Sequence, residues 1–232
     1  GRPRKHHQLT EKTQYRRMKK DILYILMLMM TAVGLSSCNE DNNTPDEYPD
    51  WKARNEEYFN KIYKEAVSDA KTNPNVKVIR NWSLPETHNK PEDFIVVKVL
   101  KKGTGTQLPL YTDTAYIHYQ GRLIPSTSYP KGMIFDQTWI TEEFNPNTNT
   151  PKKFAVSGVV SGFTTALQYM RAGDRWMIYI PYQLGYGAKN NNKIPAYSTL
   201  VFDVTLAGSY HAGRTSKETK AKAYDMQYLN QN

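Results

Sequence analysis

"YQLGYGAKNNNKIPAYSTLVFDV" (residues 182–204) sets rings and aliphatic groups on both sides of a polar loop tip. Gly185-Tyr186-Gly187 and an Asn run lead into Ile194 and Pro195, and the strand that follows carries no charge until Asp203. Gly and Asn clusters punctuate a chain as loops, whereas a β-branched and aromatic run bounded by such residues is a strand. A loop that merely joins two elements does not need so much apolar surface at its base. The flanks must pack around something.

Outward from that stretch, the other segments are strands with one short helix. "DFIVVKVL" (93–100) is a strand closed by "KKGTGTQ". "TAYIHYQG" (114–121) alternates, which puts Ala115, Ile117 and Tyr119 on one face and Tyr116, His118 and Gln120 on the other. A long loop to Gly132 precedes "MIFD", and a second, "TEEFNPNTNTPKK", precedes "FAVSG". "FTTALQYM" (163–170) is the helix of this half, and "RAGDRWMIYIP" and "STLVFDVTLAGSY" complete the strands. Short strands, one helix and long loops define an antiparallel α+β domain over residues 93–210. Upstream, Trp51, Tyr58, Phe59, Ile62, Ala66 and Ala70 recur near helical spacing until "TNPN" stops the run, so residues 50–92 read as a helical extension. A lone helix of this length is marginal in water, so its stripe docks either on its own domain or on a second copy. Residues 211–232 are a polar tail.

The net charge of +9 points to nucleic acid, but its distribution does not. The first 37 residues hold eight Lys/Arg and two Asp/Glu, which leaves 23 against 20 for the rest and no basic stripe. Nucleic-acid binding is therefore not expected. Met18-Lys19-Lys20 followed by "ILYILMLMMTAVGL" has the charged-then-apolar build of an export signal, shorter than a membrane span of about 20 residues. It ends in "LSSC" (35–38), which resembles the lipobox of bacterial lipoproteins, whose Cys is acylated after cleavage. Cys38 is then the lipidation site, residues 18–37 the signal peptide and residues 38–49 a tether. Residues 1–17 are expected to lie upstream of the true start. The alternative for Cys38 is a buried, inert thiol. With a single cysteine there is no disulfide, thiolate metal site or Cys nucleophile to assign.

Catalytic signatures are few. P-loop, GxGxxG, HExxH and GxSxG patterns do not occur. His118 reads as a packed side chain, and Glu142-Glu143 as loop carboxylates. What remains are aromatic and apolar residues at strand ends: Tyr119, Phe135, Phe163, Tyr186, Ile194 and Phe202. Singly, each reads as core. Together, the ordered blocks "IHYQG", "MIFD", "VVSGF", "IPYQLGYG", "KIP" and "TLVFDVTL" resemble the FKBP-type peptidyl-prolyl isomerases across residues 94–207.

That resemblance implies an antiparallel sheet of about five strands wrapped over one short helix, with an apolar pocket between them. Tyr119, Phe135, Val159, Val160, Phe163, Ile194 and Phe202 would line the pocket and bind substrate. Asp136 and Tyr186 would be the catalytic pair, the Val160 N–H and Tyr186 hydroxyl would hold peptide carbonyls, and residues 187–193 would form a flap. The implied reaction is isomerisation of X–Pro bonds in exported proteins, without cofactor or metal. The lipobox resemblance implies an exported lipoprotein anchored to a bacterial cell membrane, the outer membrane facing the periplasm or cell surface. Proline-containing polypeptides are the implied partners and macrolides the implied inhibitors.

Three departures bear on activity. Phe163 stands where the family has Trp, Lys152 where an aromatic wall is expected, and residues 137–151 contain no basic partner for Asp136. These departures keep a second reading open, an FKBP-fold binding or chaperone-like module with little catalysis. A structural lipoprotein without a pocket is the third.

Overall fold

The computed structural model describes residues 46–211. Cys38, the leader and the tail beyond His211 lie outside them. In chain order the elements are α1 (Trp51–Asp69), β1 (Val76–Arg80), β2 (Phe94–Lys101), β3 (Thr114–Arg122), β4 (Ile134–Gln137), β5 (Lys152–Ala155), α2 (Ser161–Tyr169), β6 (Arg175–Ile180) and β7 (Leu200–Tyr210). One antiparallel sheet runs β1-β2-β6-β7-β3-β4, and β5 also pairs with β3.

Seven strands replace the expected five for two reasons. Residues 50–92 are not helical throughout, because β1 pairs in register with β2 from Val76↔Lys98 to Arg80↔Phe94. The free edge of β3 is also shared. β4 lies along residues 120–122 and β5 along residues 114–117, and the segment between them, 138–151, leaves the sheet.

Burial on both faces explains why β2 does not alternate. Ile95 and Val97 join the main core with Phe163, Leu167 and Ile178, whereas Val96 packs with Phe59, Ala66 and Val76 on the opposite face. α2 thus covers one side of the sheet and α1 the other, and a strand between two layers reads as a continuous apolar run. α1 docks on its own domain: Trp51, Asn55, Phe59 and Ala66 form its buried stripe. Trp51 Nε1 donates to Ser198 Oγ at 2.8 Å, and the Thr199 N–H donates to Asn55 Oδ1 at 2.7 Å. Both partners lie at the end of the loop that leads into β7. Among the described residues, no helix is long and apolar enough to cross a membrane.

Candidate active site

β3 and β7 supply the back of the site. Gly121 pairs with Phe202 and Tyr119 with Val204, so period-two alternation turns Tyr119 and Phe202 to the α2 side. α2 offers its first turn, where Phe163 is buried and meets Phe202 at 4.9 Å and 82°. From β4, Phe135 meets the same ring at 5.4 Å and 89°. These edge-to-face pairs suit the ring quadrupoles. They enclose a cavity of about 350 Å³ lined by Ile117, Tyr119, Phe135, Asp136, Phe154, Gly158, Val159, Val160, Phe163, Tyr186 and Phe202.

Eight of the expected site residues thus meet in one cavity, and Ile194 does not. Ile194 is buried in the main core, and its backbone closes the flap tip through reciprocal hydrogen bonds with Asn191 at 2.8 and 2.9 Å. Asn192 takes the left-handed conformation (φ 50°) that this turn needs. The flap is tied at its base as well, by the Tyr197 N–H donating to the Gly187 carbonyl at 2.8 Å.

Three lining residues were not singled out in the sequence: Ile117, Phe154 and Gly158. Ile117 was legible, since it shares the Tyr119 face. Phe154 corrects the reading of Lys152 as a lost wall. The register sets Ala115 opposite Phe154 and Ile117 opposite Lys152, and Phe154 meets Tyr119 edge-on at 5.8 Å. The Lys152 ammonium lies 5.1 Å from the centre of the Phe154 ring and covers it.

Asp136 is exposed at the cavity wall and is oriented without a basic partner. The Tyr119 hydroxyl donates to its Oδ2, and the Gln137 N–H donates to Oδ1 at 2.9 Å. Burial, followed by the hydrogen bond to Asp136 and its charge, raises the Tyr119 pKa well above the usual phenol value, so the hydroxyl stays a donor. Burial and the Asp136 charge likewise raise the pKa of Tyr186, which is 40% exposed at the rim. Among the described residues no hydrogen bond engages the Tyr186 hydroxyl or the Val160 N–H, which opens α2. Both are donors available to a bound carbonyl. No group of three or more His, Cys, Asp or Glu able to hold a metal occurs among the described residues.

An antiparallel sheet over a short helix, with an aromatic cavity edged by one carboxylate and one phenol, is the architecture the sequence resemblance implied. Residues 105–207 match the family model of the FKBP-type peptidyl-prolyl cis-trans isomerases, and the chain carries a domain of that family. It is 38% identical over 127 residues to the macrophage infectivity potentiator of Trypanosoma cruzi, covering 53% of this chain and 58% of that protein. It is 34% identical over 132 residues to the FKBP-type 22 kDa peptidyl-prolyl cis-trans isomerase of Escherichia coli K12, covering 56% and 57%. It is 34% identical over 126 residues to the outer membrane protein MIP of Legionella longbeachae, covering 51% and 48%. The chain spans about half the length of these curated relatives.

Proposed function

We propose that this chain catalyses cis-trans isomerisation of X–Pro bonds in exported polypeptides, with Asp136 and Tyr186 as the catalytic pair. The observation that carries this reading is the aromatic cavity with one oriented carboxylate and two unengaged donors at its edge. Rotation about a peptide bond is opposed by resonance, with a barrier of roughly 18–20 kcal/mol, and uncatalysed X–Pro exchange takes tens to hundreds of seconds. No nucleophile is needed. The planar imide places negative charge on its oxygen, which water stabilises. With the proline ring held among Tyr119, Phe135, Phe163 and Phe202, that water is excluded and the planar form loses its advantage.

The Tyr186 hydroxyl and the Val160 N–H donate to substrate carbonyls and hold the twisted chain. Asp136, fixed by Tyr119, sets a negative charge against the imide oxygen and further disfavours the planar form. Purified protein should accelerate exchange of a short X–Pro peptide, and a proline-mimicking macrolide should compete with that peptide. An exchange rate equal to the uncatalysed one overturns the reading. Phe163, smaller than Trp and without an indole N–H, favours the second reading of a binding module with little catalysis. That module would bind the peptide without accelerating it.

We also propose that Cys38 is lipidated and tethers the domain to the outer membrane. The "LSSC" sequence after a charged-then-apolar leader supports this, as does one relative's naming as an outer membrane protein. Cys38→Ser should leave the protein outside the membrane fraction. An unmodified Cys38 in the native product, seen by mass spectrometry, refutes the anchor.

A further inference from the structure

A second cavity, of about 680 Å³, exceeds the one described above and involves the opposite face of β3. His118 and Tyr119 are neighbours, so alternation turns them to opposite sides of the sheet. His118 lies opposite Thr205, and Thr205 opposite Arg175, which makes one cross-strand row of three side chains that line this cavity. The loop at residues 101–106 forms one wall, and Phe144 and Pro146 of the 138–151 segment form another.

The 138–151 segment, which leaves the sheet, is itself held in place. The Trp139 and Phe144 rings lie 5.5 Å apart, and the Arg175 guanidinium sits 5.7 and 5.1 Å from their centres. Asn149 is buried, accepts the Ile140 N–H at 2.7 Å and donates to the Asn145 carbonyl at 2.6 Å. A wall pinned in this way is preorganised, and organising it on binding costs little.

Three features define what would fit. Lys101, Lys102 and Arg175 line the cavity, and no Asp or Glu does. Arg175 is aimed by Asp203, which accepts from Nε at 2.9 Å and from Nη2 at 2.8 Å. Its Nη1 makes no hydrogen bond to a described residue. His118 is 2% exposed, its Nδ1 has no hydrogen-bond partner, and its ring packs on Phe144 at 5.2 Å. The remaining lining is apolar or uncharged, with Leu100, Phe144, Pro146, Leu206 and Ala207 prominent.

We propose that this cavity binds a small amphipathic carboxylate, a single ring or short apolar chain carrying one anionic group. The apolar part would lie against Phe144, Pro146 and Leu206, and the carboxylate would face Arg175 and Lys102. A polyanion does not suit it, because only one guanidinium is held in place and much of the wall is apolar. A neutral apolar molecule leaves Lys101 and Lys102 without a counter-charge among the described residues.

The test compares 4-phenylbutyrate with 4-phenylbutanol, titrated into the full chain and followed at the backbone amides of Thr104, His118 and Thr205. The carboxylate should produce saturable shifts at those amides. The alcohol should bind about tenfold or more weakly, the loss of one charge-assisted hydrogen bond. Lys102 is exposed, so Lys102→Glu should fold normally, weaken the carboxylate and leave the alcohol unchanged. The proposal is overturned by equal affinities, by Lys102→Glu binding the carboxylate as tightly, or by shifts absent from these amides. None of these outcomes depends on whether the chain catalyses isomerisation.

Discussion

Phe202 is the ring on which the cavity depends, since Phe135 and Phe163 both meet it edge-on and Tyr119 lies 6.3 Å away. Gly121 stands opposite it in the β3–β7 register. A Cβ at Gly121 would lie 2.5 Å from Phe135 Cζ and 2.7 Å from Phe202 Cε1. Neither ring can move without shifting the other, so Gly121→Ala should destabilise the fold by about 1–3 kcal/mol and weaken peptide binding. Denaturant unfolding and peptide titration measure the two effects, and unchanged values of both would mean that the rings can make room. Tyr186→Phe removes one hydroxyl and keeps the ring. A hydrogen bond worth ~0.5–1.5 kcal/mol corresponds to roughly a 2- to 13-fold loss in catalysed exchange if it acts in the twisted state. A variant as fast as wild type would remove Tyr186 from the catalytic pair. Apart from Phe154, the aromatic members of the site were legible through the family resemblance of the blocks that carry them. Gly121 was not, because nothing in a lone sequence separates a glycine required by two rings from one required by a turn.

At the scale of elements, α1 is attached through polar as well as apolar contacts. Asn55 is fully buried, donates to the Trp51 carbonyl at 2.7 Å and accepts the Thr199 N–H at 2.7 Å. Asn55→Ala would leave that amide buried without an acceptor and should cost about 1–3 kcal/mol. Because Ser198 and Thr199 end the flap loop, the same change should increase hydrogen exchange over residues 187–199. Exchange confined to α1 would show that helix and flap are not coupled. Helical periodicity located α1, but Asn55 is polar and lies outside the apolar stripe that the spacing picks out. Only its position against residue 199 reveals it as a buried connector. β1 was missed for a related reason: "VKVIR" is too short and too charged to stand out as a strand until β2 offers its edge.

Across the whole molecule, several tyrosines respond to pH in the same direction. Burial raises the pKa values of Tyr48, Tyr58, Tyr119, Tyr179, Tyr182 and Tyr186, with Tyr58 pushed up to about 12. A raised folded-state value means that the unfolded chain loses its protons first, near pH 10.0. Stability that is fully present below pH 10 should therefore decline as pH rises toward and beyond 12. Denaturant midpoints should fall between about pH 10 and pH 11.5, and fall less in Tyr58→Phe, whose ring has no proton to lose. A midpoint constant over that range would show that these phenols ionise as readily in the fold as outside it.

The sequence by itself determined the class of the domain, its antiparallel α+β build and most residues of the cavity. The build follows from side-chain type and from periods of 2 and 3.6, which are local properties, whereas the class and the cavity residues follow from the resemblance of the ordered blocks to the FKBP-type isomerases. Tertiary structure decided what depends on register and on contact between distant segments. It moved Ile194 from the cavity lining to the core, and it gave the wall at Lys152 to Phe154. It supplied Tyr119 as the group that orients Asp136 where no basic residue was available. It also folded residues 138–151 into the wall of a second cavity, because Arg175 of β6 and His118 of β3 meet its rings only once the sheet has formed.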